Sequence, residues 1–287
     1  EQKFDARLAI DCFEQAIAIE PGYAHAYAMV ANAYSHLGSS GQTSPHKAFE
    51  IVHKYADKAL QLDSAIAESH IAKACAYLFY EWEWKKAYDA LQNAIRINPG
   101  ASDAYRLLGM YYILMGKKDE AVKIMEEAVK VDPLSPSINQ YLGNVYVYAA
   151  RYGDAIRQAD KVLEMHPQMR ICIELKGWAT LLKGDLTAAL NLFQEVHRLT
   201  NHPLKGLMGV GFCYAKLGFP EKTLECIRKI EQRQVEEPDA IVDGDLVGLW
   251  FSLGNLDKVF FHINQCIEKR LAPVNTVGGQ GKFGEKP

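Results

Sequence analysis

Residues 102–133 read SDAYRLLGMYYILMGKKDEAVKIMEEAVKVDP, and residues 136–167 read PSINQYLGNVYVYAARYGDAIRQADKVLEMHP. The two stretches are one pattern written twice. Gly109 and Gly143 stand 34 residues apart, and so do Tyr112 and Tyr146, Ala121 and Ala155, and Pro133 and Pro167. The register continues in both directions. Gly177 and Gly211 extend the glycine series, Ala189 extends the alanine series, and Ala87 and Pro99 lie one period upstream. Near the start of the chain, Ala9, Phe13, Ala16 and Pro21 keep the spacing of Ala121, Met125, Ala128 and Pro133.

A fixed period of this length marks a supersecondary unit that buries its apolar face only by stacking on copies of itself. Small residues such as Gly109 and Ala121 let two antiparallel helices approach closely. Tyr112 fills the space between neighbouring units, and Pro133 ends a helix because it cannot continue the hydrogen-bond ladder. Small, small, aromatic and proline at these offsets resemble the tetratricopeptide repeat, over residues 5–270. The resemblance implies an all-α fold, a right-handed α-α superhelix of about seven helix pairs behind one lone N-terminal helix. The lone helix falls near 5–20. The pairs fall near 23–62, 67–97, 102–131, 136–165, 169–199, 204–233 and 238–270. Residues 271–287 lose the apolar periodicity and read as a flexible tail. Because the register opens halfway through a unit, we expect a helix upstream and a longer parent protein.

Several units depart from the pattern. The first pair carries extra residues around Gly38–Pro45, with Ser44 as the expected N-cap and Pro45 at the first helical position. One extra residue is expected within Tyr80–Trp84. Thr223 and Val259 replace the usual alanine, and Asn201 replaces proline. The glycines of Gly206–Gly211 are expected inside a helix, where they permit close packing.

Composition narrows the function. With 32 basic and 35 acidic residues the net charge is −3, and no basic block runs along the chain. Nucleic-acid binding driven by phosphate neutralisation is therefore not expected. No apolar run reaches the roughly 18–20 residues that span a bilayer, so no membrane insertion is expected. Cys12, Cys75, Cys172, Cys213, Cys226 and Cys266 form no C-x-x-C pair and sit in amphipathic patterns, as buried free thiols of a reducing compartment do. This favours a cytoplasmic location.

Catalytic signatures are missing from the sequence. There is no H-E-x-x-H or G-x-S-x-G. His25 and His36 lack a third ligand at metal spacing. The acidic doublets Asp119-Glu120, Glu126-Glu127 and Glu236-Glu237 suit helix starts and solvated faces. Gly279–Gly284 spells G-x-G-x-x-G but has no strand before it and no helix after it. We expect no enzyme, no cofactor and no metal.

The resemblance also implies where a ligand would lie, since the first helix of each pair lines a concave groove. Carried over by register, the lining comprises Ile71, Cys75, Leu78 and Phe79, then Arg106, Met110 and Ile113. Gln140, Asn144, Val147 and Tyr148 follow, then Glu174, Trp178 and Leu181, then Met208, Phe212 and Lys216. An apolar, aromatic lining on such a face suggests a protein or peptide partner. The alternative is core packing, because a slip of one position turns a side chain by about 100°. Asn32 and Asn144 occupy positions that some relatives use in a clamp for a chaperone's C-terminal carboxylate. Here Ala28 and Gln140 stand where the clamp needs basic residues, which argues against that role.

The aromatic run Tyr80–Trp84, with the insertion before it and Asp132–Pro136 after it, resembles repeat regions appended to bacterial signalling proteins. In those an effector such as a nucleotide cyclase, a winged-helix domain or a kinase lies upstream. Packing of a widened turn is the other reading of Trp82 and Trp84. The expected function is a protein–protein interaction scaffold that binds a peptide or partner helix. The alternative is a homo-oligomerisation module, a homodimer contact formed near Trp82 or around Trp250-Phe251 and Phe260-Phe261.

Overall fold

A computed structural model describes residues 6–40, 42–199, 204, 206–236 and 242–268. The fold class is the all-α one that the period implies, with fifteen α-helices and no strand among the described residues. They are α1 (Ala6–Ile19), α2 (Ala24–Ser39), α3 (Pro45–Leu62), α4 (Ala67–Ala76), α5 (Trp84–Ile97), α6 (Ser102–Leu114), α7 (Lys118–Val131), α8 (Pro136–Tyr148), α9 (Tyr152–Met165), α10 (Arg170–Lys183), α11 (Leu186–Leu199), α12 (Leu207–Lys216), α13 (Pro220–Glu236), α14 (Asp243–Ser252) and α15 (Leu256–Glu268). They fall into two compact units, α1–α7 and α8–α15. Within the first, α2 packs on α4 and α4 on α6; within the second, α8 packs on α10, α10 on α12 and α12 on α14. Within each unit the first helices of successive pairs thus stack on each other, while second helices pack on the helices beside them in sequence. The proposed tail, 271–287, lies outside the described residues, as does Asn201.

One hydrogen-bonding device ends most of the first helices. At the end of α6, Gly116 adopts φ 72°, its N–H donates to the Ile113 carbonyl, and the Lys117 N–H donates to the Tyr112 carbonyl. This pair of bonds satisfies carbonyls that the helix end would leave bare, and it needs a left-handed residue. The device repeats at Gly184 and Gly218, and at Gly254 after α14. At the end of α8 the same bonds form around Ala150, with φ 59°. There a Cβ is forced into the left-handed region.

Helices meet where glycine stands opposite a bulky side chain, both within a pair and between successive first helices. A Cβ added to Gly109 of α6 would lie 2.8 Å from Met125 Cγ of α7. One added to Gly177 of α10 would lie 2.8 Å from Phe193 Cε1 of α11, and one on Gly211 of α12 would lie 2.6 Å from Leu249 of α14. A Cβ on Gly143 would collide with Leu175 of α10, the next first helix. On the second-helix side, Ala87, Ala121, Ala155 and Ala189 are fully buried. Phe193 is held from both sides, since Gly209 of α12 also leaves no room for a Cβ against its ring. Gly206 differs from its expectation. It precedes α12 in a left-handed conformation, φ 79°, with the Phe193 carbonyl 2.5 Å from where a Cβ would be.

The departures from the pattern have local explanations. Thr223, buried where alanine is usual, donates its hydroxyl to the Gly211 carbonyl at 3.0 Å, so the extra polar atom is satisfied across the helix crossing. Between α4 and α5 the chain makes a π-helical turn, Tyr77–Glu81, closed by Trp82 at φ 60°. Here the Glu83 N–H reaches the Tyr77 carbonyl, six residues back rather than the five found elsewhere. A single inserted residue is absorbed in this way. The widening overlaps the Tyr80–Trp84 segment in which it was expected. Side chains of α3 hold the turn. Phe49 stacks on Tyr80 at 5.4 Å, His46 Nδ1 lies 2.7 Å from the Tyr80 hydroxyl, and His53 pairs with Glu81. Pro45 opens α3 as expected, but Ser44 makes no side-chain capping bond.

Two substitutions check this packing. Ala150→Gly should raise stability by about 0.5–1 kcal/mol, because it relieves the left-handed Cβ. Gly209→Ala should lower stability by about 1–2 kcal/mol, the clash with Phe193 outweighing the roughly 1 kcal/mol that alanine gains in helix propensity. Urea denaturation followed by circular dichroism measures both; an unchanged midpoint for either variant contradicts the corresponding account.

Candidate functional site

The residues expected to line a groove do not share one environment. In the first unit, Ile71, Cys75, Leu78 and Phe79 are buried, and Arg106, Met110 and Ile113 are half-buried. Leu78 and Phe79 belong to the π-helical turn and pack inward with it. In the second unit, Gln140, Val147, Trp178, Leu181 and Phe212 are buried. Asn144, Tyr148, Glu174 and Met208 are half-buried, and Lys216 is exposed. Trp178 is a packing residue. Its ring meets Phe193 edge-on at 4.9 Å and Phe212 at 5.4 Å, inside the core cluster that includes Cys213, Ile227 and Leu246. Trp178 and Phe212 therefore offer a partner little surface. Met110 and Ile113 in one unit, and Asn144, Tyr148 and Met208 in the other, keep surface open to solvent.

The polar groups among them are preorganised. Arg106 Nε donates to Asp103 at 2.9 Å, and Arg170 donates to Glu174 at 2.7 Å, each within its own helix. Burial pushes the pKa of the Tyr148 hydroxyl up to about 12, so it stays protonated at any physiological pH. What these side chains provide is two ion pairs held within their helices and one neutral phenol among apolar neighbours. They form no arrangement of acid, base and nucleophile.

The thiols follow the same division. Cys75, Cys172, Cys213 and Cys226 are buried, and burial raises the pKa of each, to about 11 for Cys172 and about 12 for Cys213. Cys12 departs from the expectation of buried thiols and is exposed, and Cys266 is partly so. Among the described residues no group of three His, Cys, Asp or Glu side chains is placed to hold a metal ion, and no helix is long and apolar enough to cross a membrane. The Gly279–Gly284 motif lies outside the described residues.

One concavity carries no sequence signal. An open cleft of about 600 Å³ lies between α1, α2 and α3, with Tyr27 and Tyr55 among its lining. Its residues come from three helices at unrelated sequence spacings, which a periodicity argument does not connect.

Comparison with known proteins agrees with the repeat. Residues 79–145 and residues 142–202 each match a family model described as tetratricopeptide repeat, so this stretch consists of such repeats. Among solved structures, a tetratricopeptide repeat protein from Parabacteroides merdae is 14% identical with a TM-score of 0.59, covering 91% of this chain and 93% of that one. The human IFIT1 dimer with m7Gppp-AAAA is 14% identical with a TM-score of 0.62, covering 92% and 68%. PilW, a type IV pilus biogenesis factor, is 18% identical with a TM-score of 0.55, covering 74% and 95%. At these identities the likeness speaks to fold alone. No curated protein matches the chain by sequence.

Thiol reactivity tests the burial pattern. With a disulfide reagent at pH 8, Cys12 should react fast and Cys266 more slowly. The four buried thiols, protected by both burial and raised pKa, should react only after denaturation. Rapid labelling of Cys213 in the folded protein would contradict the packing around it.

Proposed function

We propose that this chain is a protein–protein interaction scaffold that takes a peptide or a partner helix on the first-helix face of its repeats. The observation that carries this reading is the accessible surface of Asn144, Tyr148 and Met208 on α8 and α12. The helix pairs already bury their own cores, so apolar surface left open on a first helix is available for a ligand. An amide, an aromatic ring and a thioether suit a peptide, whose backbone needs hydrogen bonds and whose side chains need apolar contact. The resemblance of the Tyr80–Trp84 region to repeats appended to bacterial signalling proteins supports a regulatory part of a larger bacterial protein, acting in the cytoplasm. The reading invokes neither catalysis nor nucleic-acid binding.

The test is affinity capture with the immobilised chain, comparing wild type with Tyr148→Ala/Met208→Ala. We expect a reproducible set of bound proteins to disappear with the variant while its circular dichroism stays at wild type. An unchanged set would exclude this face. Trp178→Ala is unsuitable here, because removing a buried tryptophan costs about 3–5 kcal/mol and tests folding instead.

Self-association is a second reading, favoured by α15. Leu256, Phe260 and Ile267, at 55%, 59% and 52% exposure, are spaced to share one helical face. Light scattering over a concentration series should show a dimer if this face pairs; a monomer at the highest concentration rejects it.

A further inference from the structure

The open cleft of the first unit takes one lining residue, Tyr27, from a first helix and the others from α1 and α3. Helices α1 and α3 each pack on α2, and the cleft lies between them. Ile17 and Ala18 of α1, Tyr27 of α2 and Tyr55 of α3 contribute its apolar surface. The two tyrosine rings sit 6.0 Å apart, tilted by 42°. Both hydroxyls are engaged, Tyr27 donating to the Pro21 carbonyl at 3.3 Å and Tyr55 to Glu14 at 2.8 Å. The rings, rather than the hydroxyls, are therefore what the cleft offers.

The charges around it are unequally satisfied. Asp57 is paired with Lys73 at 2.6 Å, and Glu14 accepts from Tyr55. Lys54 and Lys58 are exposed, one turn apart on α3, and neither forms an ion pair among the described residues. Lys54 Nζ lies 5.9 Å from the centre of the Tyr55 ring. Once the Asp57–Lys73 pair cancels, two lysines face one carboxylate. A side chain with an apolar body, flanked by negative charge, satisfies both halves of the lining. The openness of the cleft argues for a peptide. A small molecule gains affinity by burying most of its surface, which an open cleft cannot do. An extended peptide lays one side chain on the rings and runs on past the lysines.

We propose that the cleft between α1, α2 and α3 is a second binding site, and that it takes an acidic peptide segment anchored by one aromatic or large apolar side chain.

The experiment is fluorescence anisotropy of the full chain with a fluorescein-labelled peptide in which glutamates flank a single phenylalanine. Saturable binding is expected, weakening with added salt. Lys54→Glu/Lys58→Glu should reduce affinity by at least about tenfold, since it replaces attraction with repulsion at the rim. Replacing the peptide's phenylalanine by alanine should also reduce it, and Tyr148→Ala should not. Should the charge reversal disturb the helical spectrum, Lys54→Ala/Lys58→Ala replaces it, with a smaller loss of affinity expected. The proposal is overturned by any of three results: no saturation at millimolar peptide, equal affinity for a peptide with lysines in place of glutamates, or wild-type affinity in a folded lysine double variant. None of these results bears on the first-helix reading.

Discussion

The helices come close where one of them carries glycine or alanine, and the rest of this structure depends on that constraint. Gly177 and Gly209 leave the space that the Phe193 ring occupies, and Gly109 does the same for Met125. A fully buried phenylalanine contributes about 1.5–3 kcal/mol through the area it removes from water. Phe193 achieves this inside three short helices because two backbones approach its ring. The period of 34 residues is the sequence trace of this crossing, repeated. The left-handed residue that ends a first helix completes the unit by turning the chain back and capping the last carbonyls.

The constraint also divides core from surface. The helix crossings bury one side of each first helix, and whatever remains accessible on it is free for another role. Trp178 illustrates how narrow the division is. It sits one residue after Gly177, in the core against Phe193 and Phe212, while Glu174, one turn earlier on the same helix, is half-buried. Tyr148 and Met208 fall on the open side of their helices, and with Asn144 they form the surface on which the scaffold reading rests. The cleft of the first unit arises differently, where two helices pack on a third without closing the gap between them.

Fold class and helix count were legible because glycine, alanine and proline recur at positions where packing and turn geometry allow little else. The lining was legible only in part. A one-residue error in register turns a side chain by about 100°, and period alone does not say whether Leu78 or Met110 faces solvent. The π-helical turn moves Leu78 and Phe79 inward in a way that a uniform repeat does not anticipate. Thr223 looked like a weakened position, yet its hydrogen bond to Gly211 makes it a satisfied one, and only coordinates show which carbonyl lies within reach. Ala150 occupies a left-handed position that glycine holds in four other units, which comparing the units in sequence could have revealed. The aromatic cleft could not have been read, because its residues are joined by packing rather than by spacing.

The central claim is that glycine at the crossing exists to admit the opposing ring. A double-mutant cycle between Gly177→Ala and Phe193→Leu, read by urea denaturation, tests it most directly. If the claim holds, the alanine is destabilising beside phenylalanine and much less so beside the smaller leucine, giving a coupling of about 0.5–3 kcal/mol. Additive effects, with Gly177→Ala equally damaging in both backgrounds, would contradict it.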